Sequence, residues 1–170
     1  MIKKIIILFL ITMIPAFELR ASIPFGILSG TVNLPFDMSV RGMGENWVWV
    51  FVVCVISNFI LGAILYPLLD KILLMLERIP IIGKFWNKAM MRTQKKIHPY
   101  VERWGTIGVA LFIAVPLPGS GTYSGALGAF MLGMSYRRFL LANAIGVLLA
   151  GIAVTAVTLS GKGFIQMLFS

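Results

Sequence analysis

Long uncharged runs alternate along this chain with short junctions rich in charge, proline and glycine. The runs cover residues 5–17, 21–36, 47–69, 105–136 and 139–160. Two of them read as simple helices. Residues 47–69 exceed the ~20 apolar residues needed to cross a bilayer, and Trp47 and Trp49 suit the aromatic belt at one interface. Residues 139–160 form the second span, where Ala142, Gly146 and Ala150 set small side chains at four-residue spacing for close helix packing. Each span carries one asparagine, Asn58 near the middle of the first and Asn143 near the start of the second. An amide inside a membrane helix serves either as a helix–helix hydrogen bond or as a ligand for a substrate or ion.

The remaining runs cannot be straight helices. Residues 5–36 are interrupted by Glu18 and Arg20, with Pro15 before them and Pro24 after, so regular helix should break on both sides. Residues 105–136 are interrupted by Pro116, Leu117, Pro118, Gly119, Ser120, Gly121 and Thr122, a sequence that no continuous helix survives. Small residues recur every fourth position beyond each bend: Ser22, Gly26 and Gly30, then Gly121, Gly125, Ala129 and Gly133. Ile14-Pro15-x-x-Glu18-x-Arg20 also lines up with Val115-Pro116-x-x-Gly119-x-Gly121, a weak internal repeat. Residues 33–46 read as a loop, marked by Pro35, Asp37, Arg41, Gly42, Gly44 and Glu45.

Two arrangements satisfy this pattern. Each broken segment either crosses once, giving four spans, or turns back as a re-entrant hairpin. We expect hairpins, because irregular backbone at mid-depth must be buried in protein or line water, and two facing hairpins shelter each other's bends. The expected fold is all-α and integral to the membrane. Two re-entrant helical hairpins face each other beside two full transmembrane helices in an inverted repeat, with a cytoplasmic amphipathic helix. Residues 1–76 would form the first inverted half, 77–103 the linker and 104–170 the second half.

Composition agrees. The chain of 170 residues is 59% hydrophobic and 12% charged, outside the range of soluble domains. Its formal charge is +9, which in a membrane protein reports topology and anionic headgroups before it reports nucleic acid, for which no basic–aromatic reading surface is present. The densest basic segment holds Lys84, Lys88, Arg92, Lys95 and Lys96; it is placed in the cytoplasm and reads as a helix lying on the headgroups. Lys3 and Lys4 before a short apolar run also suit a signal peptide, but the Leu19-Arg20-Ala21 context lacks the small residue wanted before a cut. One cysteine, Cys54, and one histidine, His98, leave no disulfide, no metal cluster and no nucleophile–base pair, so neither an enzyme nor a cofactor is expected.

Glu18-Leu19-Arg20-Ala21-Ser22-Ile23-Pro24 and the stretch from Val115 to Ala126 resemble the two signature motifs of the small multi-drug export protein family. The resemblance extends from Ile14 to about Gly151. More distantly, that family is similar to the DedA, or SNARE-associated, membrane proteins. The resemblance implies facing re-entrant hairpins, movement of amphipathic compounds or lipids, and proton coupling. DedA proteins carry further membrane acids and arginines, whereas the second broken segment here has none.

The residues themselves suggest how such a device would work. Glu18 can take and release a proton, and Arg20 can hold an anionic headgroup or pair with Glu18. Ser120 or Thr122 could cap the helix leaving the second bend, turning its N–H groups into the cavity, with Tyr123 beside them. The expected substrate and proton path is therefore Glu18, Arg20, Pro24, Asn58, Pro116, Pro118, Gly119, Ser120, Gly121, Thr122, Tyr123 and Asn143. Three functions fit: a proton-coupled exporter of small amphipathic compounds, a lipid flippase or scramblase, or a non-transporting scaffold that uses the basic helix. The expected home is the plasma (cytoplasmic) membrane, and a homodimer would enlarge an otherwise small interior.

Overall fold

The computed structural model describes residues 2–15, 17–34, 38–77, 105–115 and 120–169. Among them are six helices: α1 (Ile2–Thr12), α2 (Glu18–Ile27), α3 (Trp47–Glu77), α4 (Thr106–Ala114), α5 (Thr122–Met131) and α6 (Tyr136–Phe169). The protein is mainly helical, as its hydrophobic pattern requires. One addition falls in the stretch read as a loop. Strands β1 (Thr31–Leu34) and β2 (Met38–Arg41) pair antiparallel, with Thr31 opposite Arg41 and Leu34 opposite Met38. Thr31, Val32 and Val40 are residue types that favour the extended backbone of these two strands.

Helices α3 and α6 carry the segments Trp47–Leu69 and Tyr136–Gly161, long and apolar enough to cross a membrane. Their outward faces are greasy along their length. On α3 the exposed residues Val48, Val52, Ile56, Ile60, Ile64 and Leu68 form one row at helical spacing, and on α6 Leu141, Ile145, Leu148 and Ile152 form another. Water would not tolerate stripes this long, whereas lipid requires them. This is a membrane protein.

The chain forms two compact units. The first holds residues 1–58 and 148–170. Pro15 ends α1, and α2 begins at Glu18 and packs back against α1. Gly26 makes this possible, since a Cβ there would stand 2.5 Å from Val50 Cγ1 and 3.2 Å from Leu8 Cδ2. Pro24 does not break α2 as expected. It sits inside the helix, and the next turn continues through Leu28 N–H donating to the Pro24 carbonyl at 2.9 Å. The physical reason is that an interior proline removes one donor only, a loss a short membrane helix survives. The C-terminal carbonyls of α2 are then taken up by returning chain. Met43 N–H donates to Phe25 O and Glu45 N–H to Gly26 O, each at 2.9 Å, and Gly44 N–H donates to Leu28 O at 3.0 Å. Lys4, at the start of α1, forms an ion pair with Glu45 in the same place.

The second unit holds residues 59–147. Here α4 packs against α5, and Gly125 seats directly on Ile113, to which a Cβ would come within 2.4 Å. A groove of about 300 Å³ runs along the pair, lined from Gly105 at the head of α4 to Leu132 just beyond α5. Pro67 lies inside α3 and leaves the Ala63 carbonyl without its helical donor. The Tyr136 hydroxyl supplies the missing bond at 3.0 Å. Immediately before Pro67, Tyr66 stacks on Phe139 with ring centroids 4.5 Å apart, and its hydroxyl donates to the Met134 carbonyl. With little hydrophobic drive between helices in lipid, such close packing and side-chain bonds hold the helices together.

Candidate functional site

Polar side chains in a membrane protein are informative because they are costly there, and in the first unit several are buried where α1, α2 and α3 meet. Glu18 opens α2 immediately after the bend and is 5% exposed. Asn58, on α3 and 1% exposed, donates through Nδ2 to Glu18 Oε2 at 3.5 Å. Ser22, one turn along α2, gives its proton to the Glu18 carbonyl at 2.9 Å. Thr12, at the end of α1, donates to the Leu8 carbonyl at 2.8 Å. The Cys54 thiol, one turn before Asn58, lies within hydrogen-bonding reach of both hydroxyls. Three helices thus contribute to one buried polar cluster.

The backbone at Glu18 is unusual as well. Its φ is +42°, a left-handed conformation that disfavours a residue with a Cβ. Among the described residues it is the only one other than glycine with positive φ. Strain of this kind persists where surrounding packing over-determines it, and it concentrates at functional positions. Arg20 stands two residues on, half-buried and close enough to feel the Glu18 charge.

The second unit has a related arrangement without the charge. Thr122 opens α5 just after its bend and is fully buried, as is Asn143 on α6. Thr122 Oγ1 donates to Asn143 Oδ1 at 3.4 Å, while Asn143 Nδ2 donates to the Phe59 carbonyl at 3.3 Å. Gly62 makes room for this pair; a Cβ there would lie 2.3 Å from Asn143 Nδ2 and 2.8 Å from Thr122 Cγ2. In each unit, then, the asparagine of a long helix bonds the first residue of the ten-residue helix that follows a bend.

The remaining expected residues fall as follows. Neither Ser120 nor Thr122 caps α5. The cap position is Gly121, whose φ of +119° and ψ of −168° suit glycine alone, and no side chain bonds to it. Ser120 instead closes the bend, its hydroxyl donating to the Val115 carbonyl at 2.5 Å. Tyr123 is partly buried on α5. Pro116, Pro118 and Gly119, and the membrane-surface residues Lys84, Lys88, Arg92, Lys95 and Lys96, lie outside the described residues. Among the described residues no group of three or more histidine, cysteine, aspartate or glutamate side chains could hold a metal ion. Sequence reasoning missed Thr12 and Cys54 as members of this buried polar group and treated Ser22 as packing alone. The available signal was spacing: Cys54 and Asn58 stand four apart on one helix, as do Glu18 and Ser22.

Fold and site together define a small polytopic membrane protein in which each of two units carries a packed helix–bend–helix element and one of them a buried carboxylate. The model of the family described as "Putative small multi-drug export protein" matches residues 18–153, and the chain belongs to that family. The match begins at Glu18 itself, just after the first bend, and takes in the second. No curated protein and no solved structure matches the chain.

Proposed function

We propose that this protein is a small plasma-membrane exporter of amphipathic, drug-like compounds, driven by protons exchanged at Glu18. One observation carries the reading: a carboxylate 5% exposed, on strained backbone at a bend, bonded by an amide from a membrane-spanning helix. A membrane acid is expensive to keep and is retained where something must bind or pass.

The reading includes re-entrant hairpins, and two features favour them over single crossings. Lys4 at the start of α1 meets Glu45 beyond the end of α2, so both ends of the first helix pair share a face. Gly105 and Leu132, at the two outer ends of α4 and α5, line one groove. A ten-residue arm such as α2 is about 15 Å long, half the ~30 Å hydrocarbon thickness, which puts the Glu18 bend near mid-depth. The inverted-repeat arrangement of the two halves belongs to the same proposal.

The test is uptake of a fluorescent amphipathic dye into reconstituted vesicles under an imposed pH gradient. Wild-type protein should accumulate dye and Glu18→Gln should not; full activity in Glu18→Gln would remove the proton role. A fluorescent-lipid assay without a gradient separates this reading from a scramblase.

A further inference from the structure

We propose that a groove between α3 and α6 binds a small, uncharged aromatic amphiphile that enters sideways from one leaflet of the bilayer. The proposal rests on the export reading, which it deepens by naming the class of compound and the place where it enters.

The groove lies wholly within the first unit. It adjoins a close helix contact. Gly151 of α6 packs so tightly on α3 that a Cβ would come within 2.7 Å of Val55 Cγ2 and 3.0 Å of Phe51 Cε2. Beside this contact is a groove of about 450 Å³, with Trp47 and Phe51 on one wall and Leu148, Ile152 and Leu159 on the other. Sites for drug-sized molecules run from ~300 to ~1,000 Å³ and are lined by apolar and aromatic side chains around a few polar groups. The depth fits half a membrane. Trp47 and Gly161 each end a spanning segment, so the end of the groove marked by Trp47 and Leu159 lies near one interface. From Leu148 to Leu159 the helix rises about 16 Å, half of the ~30 Å hydrocarbon thickness. Leu148 and Ile152 are exposed, so the groove is open to the lipid of that leaflet.

One atom distinguishes this groove from a seam filled by lipid tails. Thr155 lines it, is 5% exposed, and its hydroxyl has no hydrogen-bond partner. Other buried helix hydroxyls spend their proton on the carbonyl four residues back. Thr12 donates to Leu8 at 2.8 Å, Ser22 to Glu18 at 2.9 Å, and Ser57 to Val53 and Thr158 to Val154 at 2.7 Å each. Among the described residues Thr155 has the one buried hydroxyl left without a bond. Such a group in a native fold calls for a partner. An acyl chain has neither donor nor acceptor to offer, whereas an amphiphile with one hydrogen-bonding group satisfies Thr155 in either sense, since a hydroxyl both donates and accepts. The lining holds no ionisable side chain, so the part of the ligand that enters is uncharged. Trp47 and Phe51 stand four apart on one face of α3 and give a flat aromatic body two rings to pack against.

The experiment uses the full chain in nanodiscs, with Trp49, Trp86 and Trp104 changed to Phe so that Trp47 is the sole tryptophan. The probe is N-phenyl-1-naphthylamine, an uncharged aromatic amphiphile that accepts energy from tryptophan. The site predicts saturable transfer from Trp47 above the linear rise of probe dissolving in lipid. Thr155→Val should weaken binding about fivefold while the melting temperature holds or rises, because it removes an unmet buried hydroxyl. Ala156→Phe fills the groove and should abolish saturation; Val157→Phe, at an exposed position outside the lining, should preserve it. Should Ala156→Phe fail to fold, Thr155→Val still decides. A linear rise alone, or saturation indifferent to Thr155 and Ala156, overturns the site. Quenching of Trp47 by brominated phosphatidylcholine that the probe cannot relieve also overturns it, with a lipid chain as the occupant. Dye export in the same preparations separates the two readings. Gradient-driven export unimpaired in Ala156→Phe overturns the groove as the entry and leaves the exporter; saturable binding without export in the parent protein keeps the site and removes the exporter.

Discussion

Asn58 holds Glu18 across two helices: the amide of the one and the carboxylate of the other meet at 3.5 Å, both almost fully buried. Removing either partner takes this buried bond from the other. Asn58→Leu should therefore lower thermal stability in detergent by an amount equivalent to about 1–3 kcal/mol, and Glu18→Leu by a similar amount. The double variant should lose clearly less than the two singles added together, because the partners share one interaction. Melting curves of the four proteins test this, and strict additivity would mean the two groups do not interact.

Glu18 also stores backbone strain. Glu18→Gly removes the Cβ that makes φ of +42° unfavourable, a relief of about 1 kcal/mol, and it also deletes a buried carboxylate. The variant should melt above Glu18→Ala while exporting no better than Glu18→Gln. If the alanine and glycine proteins melt together, position 18 is not strained.

The glycines divide by what surrounds them. Gly62→Ala would drive a Cβ into Asn143 and Thr122, and should weaken the second unit by several degrees of melting temperature. Gly108→Ala and Gly128→Ala meet nothing within 4 Å and replace a poor helix former, so each should be neutral or stabilising by up to about 1 kcal/mol. A thermal series of the three proteins checks the ranking.

Much of this architecture is written in the hydrophobic pattern. The two spans are legible because charge is missing over lengths that only a membrane explains, and the two bends because Pro15 and the Pro116–Gly119 stretch leave the backbone no helical option. The importance of Glu18, Asn58, Thr122 and Asn143 follows from polarity in an apolar run. Their pairing does not, because it depends on which helix faces which, information that lies in close approaches such as Gly26 on Val50 and Gly62 on Asn143. The β1–β2 hairpin is hidden for another reason. Its strands are four residues each, and Pro35, Asp37, Gly42 and Gly44 mark turns more loudly than Val32 and Val40 mark strands. Pro24 misleads similarly: proline reads as a break, yet α2 absorbs it.

Tyr136 and Pro67 show a repair that sequence does not announce. Tyr136→Phe should leave the Ala63 carbonyl without a donor beside Pro67 and cost about 1 kcal/mol. Combined with Pro67→Ala, which restores the helical N–H, the tyrosine variant should cost much less. Unequal losses of that kind, read by thermal unfolding of the single and double variants, identify the hydroxyl as the proline's replacement donor.

Everything proposed for Glu18 requires that the first helix pair turn back within the membrane. The most direct measurement places single cysteines at Lys3, Phe17 and Ser29 in a Cys54→Ser protein and labels them in sealed vesicles with an impermeant maleimide. Cysteines at Lys3 and Ser29 should react from the same face, with the one at Phe17 reacting slowly from either. Labelling of Lys3→Cys and Ser29→Cys from opposite faces would contradict it.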